Sequence, residues 1–320
     1  MSEQDPGFLD TKFMVDPYLN WVKAEGAPIV SAPAIDLFSV ELKDWARFGM
    51  KGAICHVDGR CDFLTAFLFE LAPGAASTPV RHTYEEAFYV LSGSGETEIT
   101  LSNGAKQTIS WGEKKLFAVP VNATARHRAT SAAPARFVAL SDFRYLMGLY
   151  RNEAFLFGNS SPMHVRQASA CAAGLTADPL NQAPGNDELT ALPLADMTVG
   201  VDLTVLAPRT STPARRQLQG RHILGVDGAG FTLTFASQTS DVTRIDWKHG
   251  VLAGLGPMHF HQHFNASSAP ARFISVEMGS MSSPMFRSRR AVYGDTEVYA
   301  SGAAIIPRNE ERAEVRGALG

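Results

Sequence analysis

The 320-residue chain contains the same pattern twice. WGEKKLFAVPVNATARHRATSAAPARFVAL at 111–140 lies without a gap on WKHGVLAGLGPMHFHQHFNASSAPARFISV at 247–276. Trp111 then meets Trp247, His127 meets His263 and Phe137 meets Phe273, each pair 136 positions apart. A second block fits almost the same shift. RHTYEEAFYVLSGSGETEIT at 81–100 falls on RQLQGRHILGVDGAGFTLTF at 216–235, matching Gly93 with Gly228 and Gly95 with Gly230. Two copies in register predict one scaffold built twice, and the length suffices for two cores.

Both copies read as strands. EAFYVLSGSGETEITL is a β-branched and aromatic run, a Gly turn, then period-two alternation, which predicts a hairpin. LTAFLFELAPG (64–74) and VDLTVLAPRT (201–210) are the strands that precede it in each half. Short strands punctuated by Gly, Pro and Asn predict an all-β protein of sandwiches or barrels. Helices are expected only in VDPYLNWVKAEG near the N-terminus and in FRYLMGLYRNEAFL (143–156), where apolar residues recur three to four apart. QASACAAGLTADPLNQAPGNDELTALPLAD (167–196) is rich in Ala, Gly, Pro and Asn and reads as an irregular connection. The expected organisation is an N-terminal segment (1–35), a first barrel (36–156), a connection (157–196), a second barrel (197–283) and a C-terminal extension (284–320).

Charge and composition exclude several partners. The formal net charge is -3, and RSRR at 287–290 is the densest basic run, so no nucleic-acid partner is expected. MSEQDPGFLD lacks a charged-then-apolar leader pattern, and no apolar run reaches ~18 residues, so no membrane span is expected. Cys55, Cys61 and Cys171 have neither metal-site nor redox-pair spacing, which predicts reduced thiols in a cytoplasmic protein.

PGAASTPVRHTYEEAFYVLSGSG resembles the first conserved motif of the cupin superfamily: a Pro-Gly turn, two alternating histidines, a Glu four residues on and a Gly seven after that. His82, Glu86 and Gly93 sit at those spacings. WGEKKLFAVPVNATARHRATSAAPARF and its copy resemble the second motif, with His261 and Asn265 at the places of its His and Asn. The resemblance runs from about Asp36 to Met281 and implies a bicupin, two tandem jelly-roll β-barrels. It also implies a divalent metal (Fe, Mn, Ni or Zn) held in a barrel by three His and one Glu.

The departures decide which chemistry remains open. In the first half Val80 and Ala125 stand at two of the four ligand positions, leaving His82 and Glu86. In the second half the paired-histidine positions fall at Arg215 and Gln217 and the Glu position at Arg221, leaving His261 of the four. His259, His261 and His263 alternate, so one strand would aim all three rings at one face. Successive rings on one strand are roughly 6–7 Å apart at the backbone, so a ligand must come from another strand. His222 would serve with His261 and His263 (or His259) if a bulge at Gly220 turned it inward. His82 and Glu86, with Tyr84 between them and His127 opposite, could form a smaller site or an acid–base pair. Arg215, Gln217 and Arg221, with Tyr84 in the first half, are the candidates for gripping a carboxylate-bearing small molecule. Arg81 and Glu85 fall outside the alternation and are expected at a surface or interface.

Three function classes remain: a metal-dependent cupin enzyme (oxygenase, isomerase, decarboxylase or hydrolase) acting on a small anionic molecule, a metal-free binding bicupin with eroded ligand sets, and a structural bicupin serving oligomerisation. A homo-oligomer, specifically a homodimer, is expected from edge strands of this kind.

Overall fold

The computed structural model describes residues 16–57, 64–159, 161–182, 189–217, 220–236, 240–278 and the backbone strand at 296–298. Cys61, RSRR and most of the C-terminal extension lie outside the described residues. Four sheets form two pairs. In the first half, Met50–Val57, Thr65–Leu71, Ala135–Ser141, Glu86–Ser92 and Leu116–Ala118 make one sheet, and Val80–Arg81, Thr124–Ala129, Ser94–Thr100 and Lys106–Gly112 the other. In the second half, Val199–Leu206, Ala271–Met278, Arg221–Asp227 and Val251–Leu255 face a sheet of Thr243–Lys248, Ala229–Phe235, Phe260–Asn265 and Arg215–Gln217. The chain is therefore all-β, two jelly-roll barrels with a few short helices.

The duplicated residues occupy equivalent places. Trp111 Nε1 donates to Thr97 Oγ1 at 2.9 Å, and His127 Nδ1 lies 2.8 Å from the same oxygen. In the second barrel Trp247 Nε1 donates to Thr232 Oγ1 at 3.1 Å, and His263 Nδ1 lies 2.8 Å from it. Ser77 Oγ accepts from the amide of His127 as Thr212 Oγ1 accepts from that of His263. The matched glycines have a steric reason. A Cβ on Gly95 would lie 2.2 Å from the Trp111 ring, and one on Gly230 would lie 2.4 Å from the Trp247 ring. Gly95→Ala is therefore expected to destabilise the protein by about 3 kcal/mol, at the upper end for overpacking, with a lower urea midpoint as the readout.

The predicted hairpin at Gly93 is not one. Glu86–Ser92 pairs with Ala135–Ser141 and Leu116–Ala118, whereas Ser94–Thr100 pairs with Thr124–Ala129 and Lys106–Gly112. At Gly93, with φ 79°, the chain crosses from one sheet to the other instead of reversing. Gly228, with φ 68°, does the same in the second barrel. A positive-φ glycine serves a reversal and a corner equally well.

Helix α1 (Pro17–Glu25) forms as expected, with Asp16 accepting from the amides of Tyr18 and Leu19 and Gly26 closing it in the left-handed region. The predicted helix at 143–156 is split into α2 (Phe143–Tyr150) and α3 (Glu153–Gly158), because Arg151 adopts φ 51° and Asn152 caps a new start. The connection is not irregular throughout: α4 (His164–Ala173) and the short strands Thr176–Ala177 and Leu189–Ala191 lie within it. Among the described residues, no helix is long and apolar enough to cross a membrane.

The two barrels share a layer. The outward face of the second barrel's first sheet (Leu203, Leu224, Leu252, Ile274 and Val276) belongs to the same apolar cluster as the first barrel's core. The second barrel keeps a separate interior around Ile223, Trp247, Ala253 and Phe273. The stretch before the first barrel supplies both halves: Ile29–Ala32 pairs with Met50–Val57, and Ala34–Asp36 with Val251–Leu255.

Candidate functional site

The strand Phe260–Asn265 pairs with Ala229–Phe235 on one side and with Arg215 on the other. Alternation then divides its side chains. Phe260 and Phe264 stack outward on Phe235 and Phe231 at 5.5 and 4.8 Å, while His261 and His263 turn inward. The two imidazole rings are 5.4 Å apart. His263 also packs on Phe273, at 4.5 Å, and its Nδ1 is held by Thr232. The Nδ1 of His261 is buried with no hydrogen-bond partner among the described residues. His259 does not join them. The strand begins at Phe260, Met258 sits at φ 60°, and His259 is exposed with Nδ1 against the Pro257 carbonyl.

Arg221 comes from the facing sheet. Its Nη2 donates to Glu277 Oε2 at 2.8 Å, and the two side chains are only 3% and 7% exposed. Arg215, Arg221, His261, His263 and Thr204 line one cavity of about 20 Å³. That is room for roughly one or two water molecules. Burial and the Arg221 guanidinium push His261 down to about 3, and burial with the neighbouring His261 holds His263 well below the ordinary imidazole value. Both rings are thus neutral in the working pH range, and the cavity's charges are those of the arginines and Glu277.

His222 does not enter this cavity. Its strand is regular from Arg221 opposite Leu255 to Leu224 opposite Leu252, and the register shift falls at Gly225/Asp227, beyond the expected place at Gly220. Arg221 faces inward, so His222, one residue on, faces the layer between the barrels alongside Val276. Burial lowers it to about 3. Among the described residues, no three His, Cys, Asp or Glu side chains gather where they could hold a metal ion. The expected set of His222, His261 and His263 is therefore not assembled. Gln217 lies on the strand beside Arg215, and its side chain is outside the described residues.

In the first barrel His82 and Glu86 do meet, although not along one strand: His82 lies in the bend after Val80–Arg81, and Glu86 opens the next strand. His82 Nδ1 donates to the Tyr84 carbonyl at 2.9 Å, and Nε2 is 2.9 Å from Glu86 Oε2. The imidazole thus bridges the Tyr84 backbone and the Glu86 side chain. Tyr84 is not placed to bind a substrate. It is fully buried, stacked on His82 at 3.7 Å and edged by Phe143 and Phe157 at 5.0 and 5.5 Å. His127 sits among Phe88, Phe117 and Phe137, where burial pushes it down to about 3. The apolar spacing that fills the barrel leaves His127 a packing role beside Thr97.

Two acidic residues carry roles the sequence did not reveal. Glu85 is buried, and its carboxylate accepts from Thr198 N, Thr198 Oγ1 and Val199 N at 2.7–2.9 Å and from Arg166 at 2.8 Å. It ties the first barrel to the opening strand of the second, an internal interface. Glu277 was legible only as a lone acid in ISVEM, in phase with the inward Phe273.

Residues 67–141 match the cupin domain family. The fold is similar to that of oxalate decarboxylase from Bacillus subtilis, at 15% identity over 78% of this chain and 78% of that chain, with a TM-score of 0.55. A second structure of that enzyme is similar at 13% identity over 84% of this chain and 89% of that chain, with the same TM-score. A third, concerned with the enzyme's Mn(II) centres, is 16% identical over 78% of each chain, also at a TM-score of 0.55. No curated protein matches the sequence. At such identities the likeness establishes the fold alone.

Proposed function

We propose that this two-barrel member of the cupin superfamily binds a small carboxylate-bearing molecule in its second barrel, and that arginine and neutral imidazole groups recognise it without a metal. The carrying observation is that Arg215, Arg221, His261 and His263 line a single cavity. A guanidinium offers a carboxylate parallel N–H donors and keeps its charge when desolvated. A neutral imidazole adds a hydrogen bond without adding charge.

The divalent metal and the metal-dependent enzyme implied by the resemblance are less well supported by the donors present. His261 and His263 are two ligands on one strand, Arg221 stands where the first barrel has Glu86, and Glu277 is already bonded to Arg221. A catalytic divalent site needs about three protein donors and is disfavoured by adjacent guanidinium charge. Proton transfer at neutral pH is also disfavoured at His261, because an imidazole held near 3 is a weak base. A second proposal, an acid–base role for His82 and Glu86, is supported by the 2.9 Å contact between the imidazole and the carboxylate.

Titrating formate calorimetrically into the full-length protein tests the first reading. One site per chain is expected, and Arg215→Met should weaken it by about tenfold or more, as expected when one partner of a desolvated charge pair is removed. Equal affinity in the variant, with an unchanged fold by circular dichroism, would count against the site.

A further inference from the structure

We infer that Glu277 is the specificity-determining residue of the second-barrel site and restricts it to monocarboxylates of one or two carbons. This rests on the carboxylate-binding reading above and deepens it. The two barrels differ by a pair of charges placed together. Where the first barrel sets Glu86 beside Ser141 on adjacent strands, the second has Arg221 at the place of Glu86 and Glu277 at the place of Ser141. The new guanidinium is bonded to the new carboxylate at 2.8 Å, and both are buried. Glu277 thus occupies part of the Arg221 fork and sets a negative charge behind Arg221, which lines the cavity, so that the pair's net charge is offset.

A ligand with one carboxylate can take hydrogen bonds from the Arg215 and Arg221 guanidinium groups that line the cavity while its small remainder lies against His261 and Thr204. A second carboxylate on the same ligand would be held in a desolvated space with the Glu277 charge nearby, and like charges so placed oppose binding strongly. Rejection of this kind discriminates through a repulsive element rather than an added contact. Size acts in the same direction, because a space of about 20 Å³ admits few non-hydrogen atoms.

Formate, acetate and oxalate, each titrated into the full-length protein near neutral pH, separate the possibilities. Wild type is expected to bind formate or acetate about tenfold or more tightly than oxalate, the smallest dicarboxylate. Glu277→Gln keeps the volume and an oxygen for Arg221 but removes the charge, and should reduce that preference to about threefold or less through tighter oxalate binding. Oxalate binding to wild type as tightly as formate would overturn the inference, as would an unchanged preference in a folded Glu277→Gln protein. Should Glu277→Gln fail to fold, oxamate, the size of oxalate with one carboxylate, decides it in wild type: it is expected to bind about tenfold or more tightly than oxalate, and equal binding of the two would overturn the inference. If none of the three anions binds wild type, the carboxylate reading itself fails; if all bind without preference, only the role of Glu277 does.

Discussion

Glu277→Leu is expected to lower the unfolding free energy by about 3–5 kcal/mol, because it removes the carboxylate bonded at 2.8 Å to the buried Arg221 guanidinium. The double variant Arg221→Met with Glu277→Leu should recover most of that loss. A buried pair costs much to break and little to replace with apolar side chains of similar volume, since both desolvation penalties disappear together. Urea unfolding of wild type, both single variants and the double variant gives the coupling directly. A Glu277→Leu protein within about 1 kcal/mol of wild type would mean that water or another group already screens Arg221. The same cycle bears on function. Should the double variant fold and lose formate binding, stability and recognition are separable properties of the pair.

The second large effect concerns acid. His127, His222 and His261 are pushed down to about 3, and His263 is held well below the ordinary 6.5, in each case mainly by burial. Each is neutral when folded and takes a proton near 6.5 when unfolded. The unfolded chain therefore binds more protons between these values, so stability is full above about pH 6.5 and falls as the pH drops toward 3. One such proton contributes ~1.4 kcal/mol per pH unit, so the three held near 3 give a loss of order 4 kcal/mol per unit near pH 5, and His263 adds in the same direction. Asp142 acts in the opposite sense. Burial and the Glu85 charge raise its carboxyl well above the ordinary range, so it offsets part of that fall. Urea midpoints measured from neutral pH down to about pH 5 should fall steeply; a flat profile would show that these imidazoles are hydrated or paired in solution.

Much of the architecture was readable because its determinants are local and duplicated. Trp111 and Trp247 each close against a glycine, Gly95 or Gly230, and a threonine, so the register that aligned them in sequence is the register of a packing motif. Gly93 was harder to read: a left-handed glycine between two strand-like runs looks the same whether the chain turns back or crosses to the facing sheet, and only the strand partners distinguish the two. Helix α4, with the sequence HVRQASACAA, lacks a wide apolar stripe and buries little beyond Gln167 and Ala170. Its small residues therefore resembled a loop.

The site was legible in parts. Simple alternation placed Arg221 inward and His222 outward, and the structure keeps that parity; the bulge needed to reverse it falls farther along the strand. Alternation also extended one residue too far, to His259, because Met258 leaves the strand conformation. Pairings between distant strands were out of reach. Glu277 meets Arg221 across 56 residues, and Glu85 meets Val199 across 114, and a single acid in an apolar strand does not name its partner.

At the proposed second-barrel site, arginines and neutral histidines hold a small carboxylate with no metal required. Calorimetric titration of formate into full-length protein stripped of metal by chelation, then repeated after adding Mn(II), tests it most directly. The account predicts the same one-to-one binding in both preparations. Binding that disappears on chelation and returns with the metal would contradict it.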